Sequence, residues 1–130
     1  MSMNDTLAAA LSALLNSDRL GKEKCNLAPA SKMLKKVIEI MKGQGYIGNY
    51  EIILDGKGGI ISVELSGRLN KCGVIKPRFS VTKNGYEKFE KRYLPAKDFG
   101  QLIVSTQKGV MMHTEAIEQG LGGKLIAYVY

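Results

Sequence analysis

The sequence predicts an α+β protein of two small packed lobes. The N-terminal lobe reads helix, strand, helix, strand, strand, strand; the C-terminal lobe is mostly antiparallel β with a short helix. Three observations carry this. Two stretches of the first half repeat apolar residues at helical spacing, a glycine-rich connection joins two strand-like runs, and the second half consists of short apolar runs punctuated by glycine and proline.

Within residues 5–18, Leu7, Leu11, Leu14 and Leu15 fall on one face of a helix, with Asn4 or Asp5 placed to cap it and Gly21 to stop it. A short extended piece at residues 25–27 ends at Pro29. Ser31 then caps a second helix whose Leu34, Val37, Ile38 and Met41 form a buried stripe, and Gly43 and Gly45 end it. Residues 50–54 and 60–65 are strand-like, and Asp55-Gly56-Lys57-Gly58-Gly59 between them suits a hairpin. A third strand is expected near residues 74–76, so that two helices back a small antiparallel sheet.

Pro77 opens the second region, which sets the lobes at residues 1–76 and 77–130. Phe79 and Val81 suggest a strand, and residues 86–93 suit one or two helical turns before Pro95 stops them. Residues 101–106 read as a buried strand, Gln107-Lys108-Gly109 as a turn and residues 110–112 as the return. A short helix at 114–119 should end at Gly120, and residues 124–130 form a final strand, whose apolar end is expected to be tied into the sheet.

At 130 residues the chain is too short for a large multi-domain enzyme, and 45% hydrophobic residues suffice for a core. Nineteen basic and twelve acidic residues give a net charge of +7, which makes a polyanion the first partner to consider. Both lobes share the excess: residues 1–76 carry eleven basic and seven acidic residues, residues 77–130 eight and five. Cys25 and Cys72 lack the spacing of a zinc site or a disulfide framework, so reduced thiols in a cytosolic protein are expected. The start has no basic leader-like segment and no apolar run approaches the ~20 residues that span a bilayer, so no membrane attachment is expected.

Catalytic and cofactor signatures are weak. Gly43-Gln44-Gly45-Tyr46-Ile47-Gly48 fits the dinucleotide-binding spacing but follows a helix and enters a strand, the reverse of what pyrophosphate binding requires. Gly56-Lys57-Gly58-Gly59 is hairpin chemistry and lacks phosphate-loop spacing. The single histidine, His113, stands near a helix start, without a recognisable nucleophile or orienting partner; a local structural role is favoured over that of a general base. Glu87 and Glu90 lie among Lys88, Lys91 and Arg92, as in an ion-paired helical turn. No cofactor and no metal is expected.

Two features suit nucleic acid. The second helix presents Lys32, Lys35, Lys36 and Lys42 with Glu39 among them, a face that serves equally as a solvated surface or as a phosphate contact. Ser105-Thr106-Gln107-Lys108-Gly109 puts two hydroxyls, an amide, a cation and a turn glycine at a strand end. Hydroxyls both donate and accept, which suits 2′-hydroxyls, base edges and phosphates, although an ordinary polar turn has the same composition. Gly120-Leu121-Gly122-Gly123-Lys124 would let backbone approach a sugar-phosphate chain, or simply turn a corner.

Taken together, Ser105-Thr106-x-x-Gly109-Val110-Met111, Gly120-Leu121-Gly122-Gly123 and the closing run from Leu125 to Tyr130 resemble the carboxyl half of the universal S-eight family of small-subunit ribosomal proteins. Asp5-x-Leu7-Ala8, Pro29-Ala30-Ser31-Lys32 and Gly45-Tyr46-Ile47 are similar to its amino half, so the resemblance runs end to end. Residues 68–79 and 93–100 resemble the archaeal and eukaryotic branch more than the bacterial one, and with no eukaryote-specific extension visible an archaeal form is expected.

The resemblance implies two packed α+β lobes and a non-enzymatic, ribosome-bound cytoplasmic protein, monomeric when free. Its partners would be the central domain of small-subunit ribosomal RNA and neighbouring ribosomal proteins, with a part in early assembly. On this reading RNA contacts are expected at Ser105, Thr106, Gln107, Lys108, Gly109, Gly122 and Gly123, with Ser31, Lys32, Lys35 and Arg68 as positioning support and Tyr86 either on the RNA or in the core. Bacterial members commonly carry a third hydroxyl where this chain has Gln107, so the hydroxyl contacts carry over to Ser105 and Thr106 alone. The competing classes are an RNA- or nucleotide-handling enzyme using His113 as base, and a module that binds proteins through its sheet edges or first-lobe helices.

Overall fold

In the computed structural model, residues 6–130 are described except for 29, 55, 57, 97 and 98. The caps expected at Asn4 or Asp5, the break at Pro29 and part of the hairpin loop fall outside them. The chain divides into two compact units, Met1–Lys71 and Cys72–Tyr130.

The first unit opens with α1 (Thr6–Arg19), whose Leu7, Leu11, Leu14 and Leu15 are buried as their spacing predicts. It ends at Gly21, where φ is +75° and the amides of Gly21 and Lys22 donate to the carbonyls of Asp18 and Ser17. This double bond satisfies carbonyls that a helix end leaves bare, and only glycine takes that φ without strain. After β1 (Lys24–Leu27), α2 (Lys32–Gly43) starts on Ser31, whose side-chain oxygen accepts the Leu34 amide at 3.1 Å. Strands β2 (Ile47–Ile53) and β3 (Ile60–Leu65) form the predicted hairpin, and β1 pairs with the other edge of β3, giving a three-stranded antiparallel sheet of order β1-β3-β2. Helix α1 packs on β1 and α2 on β2. Leu14, Val37, Ile38, Met41, Ile61 and Val63 are completely buried. At about 1.5–3 kcal/mol for each large apolar side chain removed from water, such burial is what holds a unit this small.

The strand expected near residues 74–76 forms as β4 (Cys72–Val74), but it does not complete the first sheet. It pairs with the last strand, β8 (Gly123–Val129), in the second unit. The reason lies in its apolar residues: Cys72 and Ile75 are buried, and Ile75 belongs to the second unit's apolar cluster. Strand β5 (Ser80–Val81) pairs further along the same edge of β8. Between them Pro77 has no amide to donate, so the edge is interrupted there and resumed through Leu125 N–H to the Phe79 carbonyl at 2.9 Å.

The second unit continues with α3 (Tyr86–Tyr93), β6 (Gln101–Thr106), β7 (Gly109–Met112) and α4 (His113–Gln119) before β8. Its antiparallel sheet has the order β4-β8-β6-β7, with β5 also on β8. Alternation along β6 sends Leu102 and Val104 into a cluster with Tyr86, Phe89, Ala116 and Leu125. Gly120, at φ +69°, ends α4 as expected.

Candidate nucleic-acid interface

Strands β6 and β7 are joined by the two-residue loop Gln107–Lys108, with Thr106 and Gly109 as the closing pair. Gly109 has φ +115° and nothing near its missing side chain, so glycine is required here by conformation and not by space. The Thr106 hydroxyl donates to the Gly109 carbonyl at 2.9 Å and accepts the Lys108 amide at 3.1 Å. It is a staple inside the turn, on the buried side of the sheet.

Ser105 is different. Alternation turns it to the opposite face, where it is half-buried and its hydroxyl makes no hydrogen bond among the described residues. In register it stands opposite Val110 on one side and Lys124 on the other, and Lys124 in turn stands opposite Ser80. Residues directly opposite in antiparallel strands share a face. Ser80, Lys124 and Ser105 therefore form a row of hydroxyl, cation and hydroxyl across β5, β8 and β6, with Gln107 and Lys108 exposed at its end. Sequence alone singles out Ser105 but neither Ser80 nor Lys124 as a site residue. Strand register brings them together, and no local pattern encodes it.

The two adjacent glycines make this row possible from inside. A Cβ on Gly123 would collide with the Ser105 carbonyl, and one on Gly122 with the Val81 carbonyl. Their missing side chains let β8 cross close against β6 and β5. Internal packing thus accounts for both without any ligand at their backbone.

Among the other residues singled out, Tyr86 is 1% exposed, and its hydroxyl donates to the Leu121 carbonyl at 2.9 Å, so its ring belongs to the core. Burial raises its pKa above the ordinary tyrosine value. On α2 the lysines separate. Lys36 pairs with Glu39 at 3.8 Å and Lys42 lies 5.5 Å from the Tyr50 ring, whereas Lys32 and Lys35 have no ion pair among the described residues. Both sit in the first turn, with no acid there to offset the positive end of the helix dipole. That placement costs the helix a little and favours an anion. Arg68 is exposed on the loop after β3, its guanidinium 4.0 Å from where a Cβ on Gly45 would stand.

His113 is 2% exposed, and both ring nitrogens are engaged. Nδ1 accepts the Leu102 amide at 3.0 Å, which puts the ring proton on Nε2, 2.6 Å from a Glu90 carboxylate oxygen. A base needs a lone pair that substrate can reach; here it is spent on a buried backbone amide. This geometry removes the support for a His113-based enzyme. Among the described residues no cluster of His, Cys, Asp or Glu could hold a metal ion, and no helix is long and apolar enough to cross a membrane.

Residues 5–130 match the family model described as ribosomal protein S8, and the chain belongs to that family. It is a ribosomal protein of the small subunit, its role is to bind ribosomal RNA in translation, and the family is a structural, RNA-binding one and not a family of enzymes.

Proposed function

We propose that this S8-family chain is a primary ribosomal RNA-binding protein that recognises an irregular helix in the central domain of small-subunit ribosomal RNA and helps nucleate assembly of that domain. The observation that carries the reading is the unspent Ser105 hydroxyl beside Lys124, at the end of a hairpin stiffened by Thr106. Regular A-form RNA hides its base edges in a deep, narrow groove, so a reader with a short polar row needs a bulged or distorted site that brings edges and 2′-hydroxyls to the surface. Ser105 and Gln107 supply the specific bonds, and Lys108 and Lys124 the adjoining charge. Thr106 and Gly109 fix the turn, while Gly122 and Gly123 hold the strands behind it. Lys32, Lys35 and Arg68, with the helix that Ser31 caps, contact phosphates and set position without reading sequence.

The motifs at 68–79 and 93–100 support the archaeal and eukaryotic branch of the family, and we take the archaeal form, with lobes at residues 1–76 and 77–130, a monomer when free and a place in cytoplasmic ribosomes beside neighbouring small-subunit proteins, as part of the same proposal. Chemical footprinting on small-subunit ribosomal RNA fragments tests the reading. Protection confined to one irregular helix of the central domain is the expected result; diffuse protection, or protection in another domain, would overturn it.

A further inference from the structure

A row of rings runs along the second unit, on residues that the hairpin site does not use. Tyr128 lies on β8 and Tyr130 just past its end; their ring centroids are 6.3 Å apart with planes 25° from parallel. Tyr93, at the end of α3, continues the row at 5.6 Å and 24° from Tyr128, and Phe99 extends it at 6.3 Å from Tyr130. At the other end the Arg92 guanidinium lies 5.5 Å from the Tyr93 ring and 5.2 Å from that of Phe79.

The row is built: Phe79, Tyr93, Tyr128 and Tyr130 are partly buried with one side against the unit's apolar cluster, and Phe99 stands open at its end. A Cβ on Gly73 would come within 2.9 Å of the Tyr128 hydroxyl oxygen, and one on Gly100 within 2.7 Å of the Tyr130 Cβ, so two glycines clear its floor. Phe99 is 48% exposed, and its amide donates to the Ala96 carbonyl at 3.2 Å.

Charge identifies the occupant. Both acids of α3 are spent: Glu90 on His113, and Glu87 on Lys91 at 3.5 Å. Of the helix's other cations, Arg92 lies over Tyr93 and Phe79 and gives the row its positive charge, whereas Lys88 lies over Phe89 of the core. Aromatic faces interleaved with cations are how proteins hold unpaired bases on a backbone of phosphates, because every base has a π-face and stacking needs no particular sequence.

We infer that this strip is a second RNA contact, a platform on which unpaired nucleotides stack, separate from the Ser105 hairpin. The inference rests on the RNA-binding reading but uses different residues, so the two can fail independently.

The test is fluorescence anisotropy of the full chain with a labelled, unstructured oligouridine, alongside a structured central-domain RNA fragment. Phe99→Ala and Phe99→Leu should each weaken oligouridine binding about tenfold, as the loss of one stacking partner does. Phe99→Tyr, which keeps the π-face, should stay within about twofold, and the structured fragment should bind all three variants as it binds the parent. Ser105→Ala should give the converse pattern. Undiminished oligouridine affinity in Phe99→Leu would overturn the platform, as would failure of oligouridine to bind where the structured fragment does. So would protection of the three row tyrosines from nitration by a protein partner and not by RNA.

Discussion

His113 extends the β6–β7 ladder by one rung that the backbone cannot supply. Ile103 pairs with Met112, so the next amide, that of Leu102, would look to residue 113, where the chain has already turned into α4. The imidazole Nδ1 takes that amide at 3.0 Å, and Nε2 ties the same ring to Glu90 of α3. One side chain thus joins the root of the hairpin to both helices of the unit. His113→Ala leaves a buried amide without its acceptor and should cost about 2–3 kcal/mol of stability, read as a lower urea midpoint with an unchanged slope. His113→Asn, which offers an acceptor near the Nδ1 position, should recover part of it. Equal losses in the two variants would refute the ladder account.

Ser105 and Thr106 should separate in experiment although they are adjacent and chemically alike. Ser105→Ala removes a hydroxyl with no internal partner, so stability should hold to within about 0.5 kcal/mol, while RNA affinity falls by on the order of 1 kcal/mol or more, roughly fivefold. Thr106→Val removes both bonds that tighten the turn, and its first effect should be on stability, again on the order of 1 kcal/mol. Paired urea denaturation and filter-binding titrations on the two variants check this. The reverse assignment of losses would move the reader from Ser105 to Thr106.

That difference between neighbours also shows what the sequence makes legible. Helices α1 and α2 are readable because stripe, cap and glycine stop all agree within one short segment, and the β6–β7 turn because its residues are local too. The membership of β4 is not readable: three residues with one buried thiol suit either sheet, and the pairing to β8 is made across some fifty residues. The same holds for the site. Composition marks Ser105 and Thr106 equally, but alternation places one hydroxyl inward and one outward, and only register puts Lys124 and Ser80 beside Ser105. Gly122 and Gly123 suit from sequence either a ligand-facing backbone or a corner; register adds a third reason for them, the close crossing of β8 against Ser105 and Val81.

The lysines of α2 should divide in the same way. Each phosphate contact neutralised by a cation adds about one unit to the slope of log affinity against log salt. Lys32→Gln and Lys35→Gln should therefore each flatten that slope by about one unit. Lys36→Gln should leave it unchanged, since Lys36 is already engaged with Glu39. Affinity measured across a KCl series distinguishes them, and an unchanged slope in Lys32→Gln and Lys35→Gln would return the whole face to solvent.

Tyr86 makes the fold sensitive to alkali in a direction that can be worked out. Its pKa is raised in the folded chain by burial, so above the ordinary value near 10 the unfolded chain loses the phenolic proton while the folded chain keeps it. The folded state then binds more protons, and stability falls as pH rises; the contribution is complete below the ordinary value and is lost as pH climbs through the folded one. Burial raises Tyr46 in the same sense, so the two act together. Tyr86→Phe should cost about 1 kcal/mol at neutral pH, because the Leu121 carbonyl loses its donor. It should also lose less than the parent chain between pH 7 and about pH 10.5, since no buried phenol remains there to ionise. Urea midpoints at the two pH values measure both effects, and an alkaline loss as large in the variant as in the parent would show that the phenol at this position is not its source.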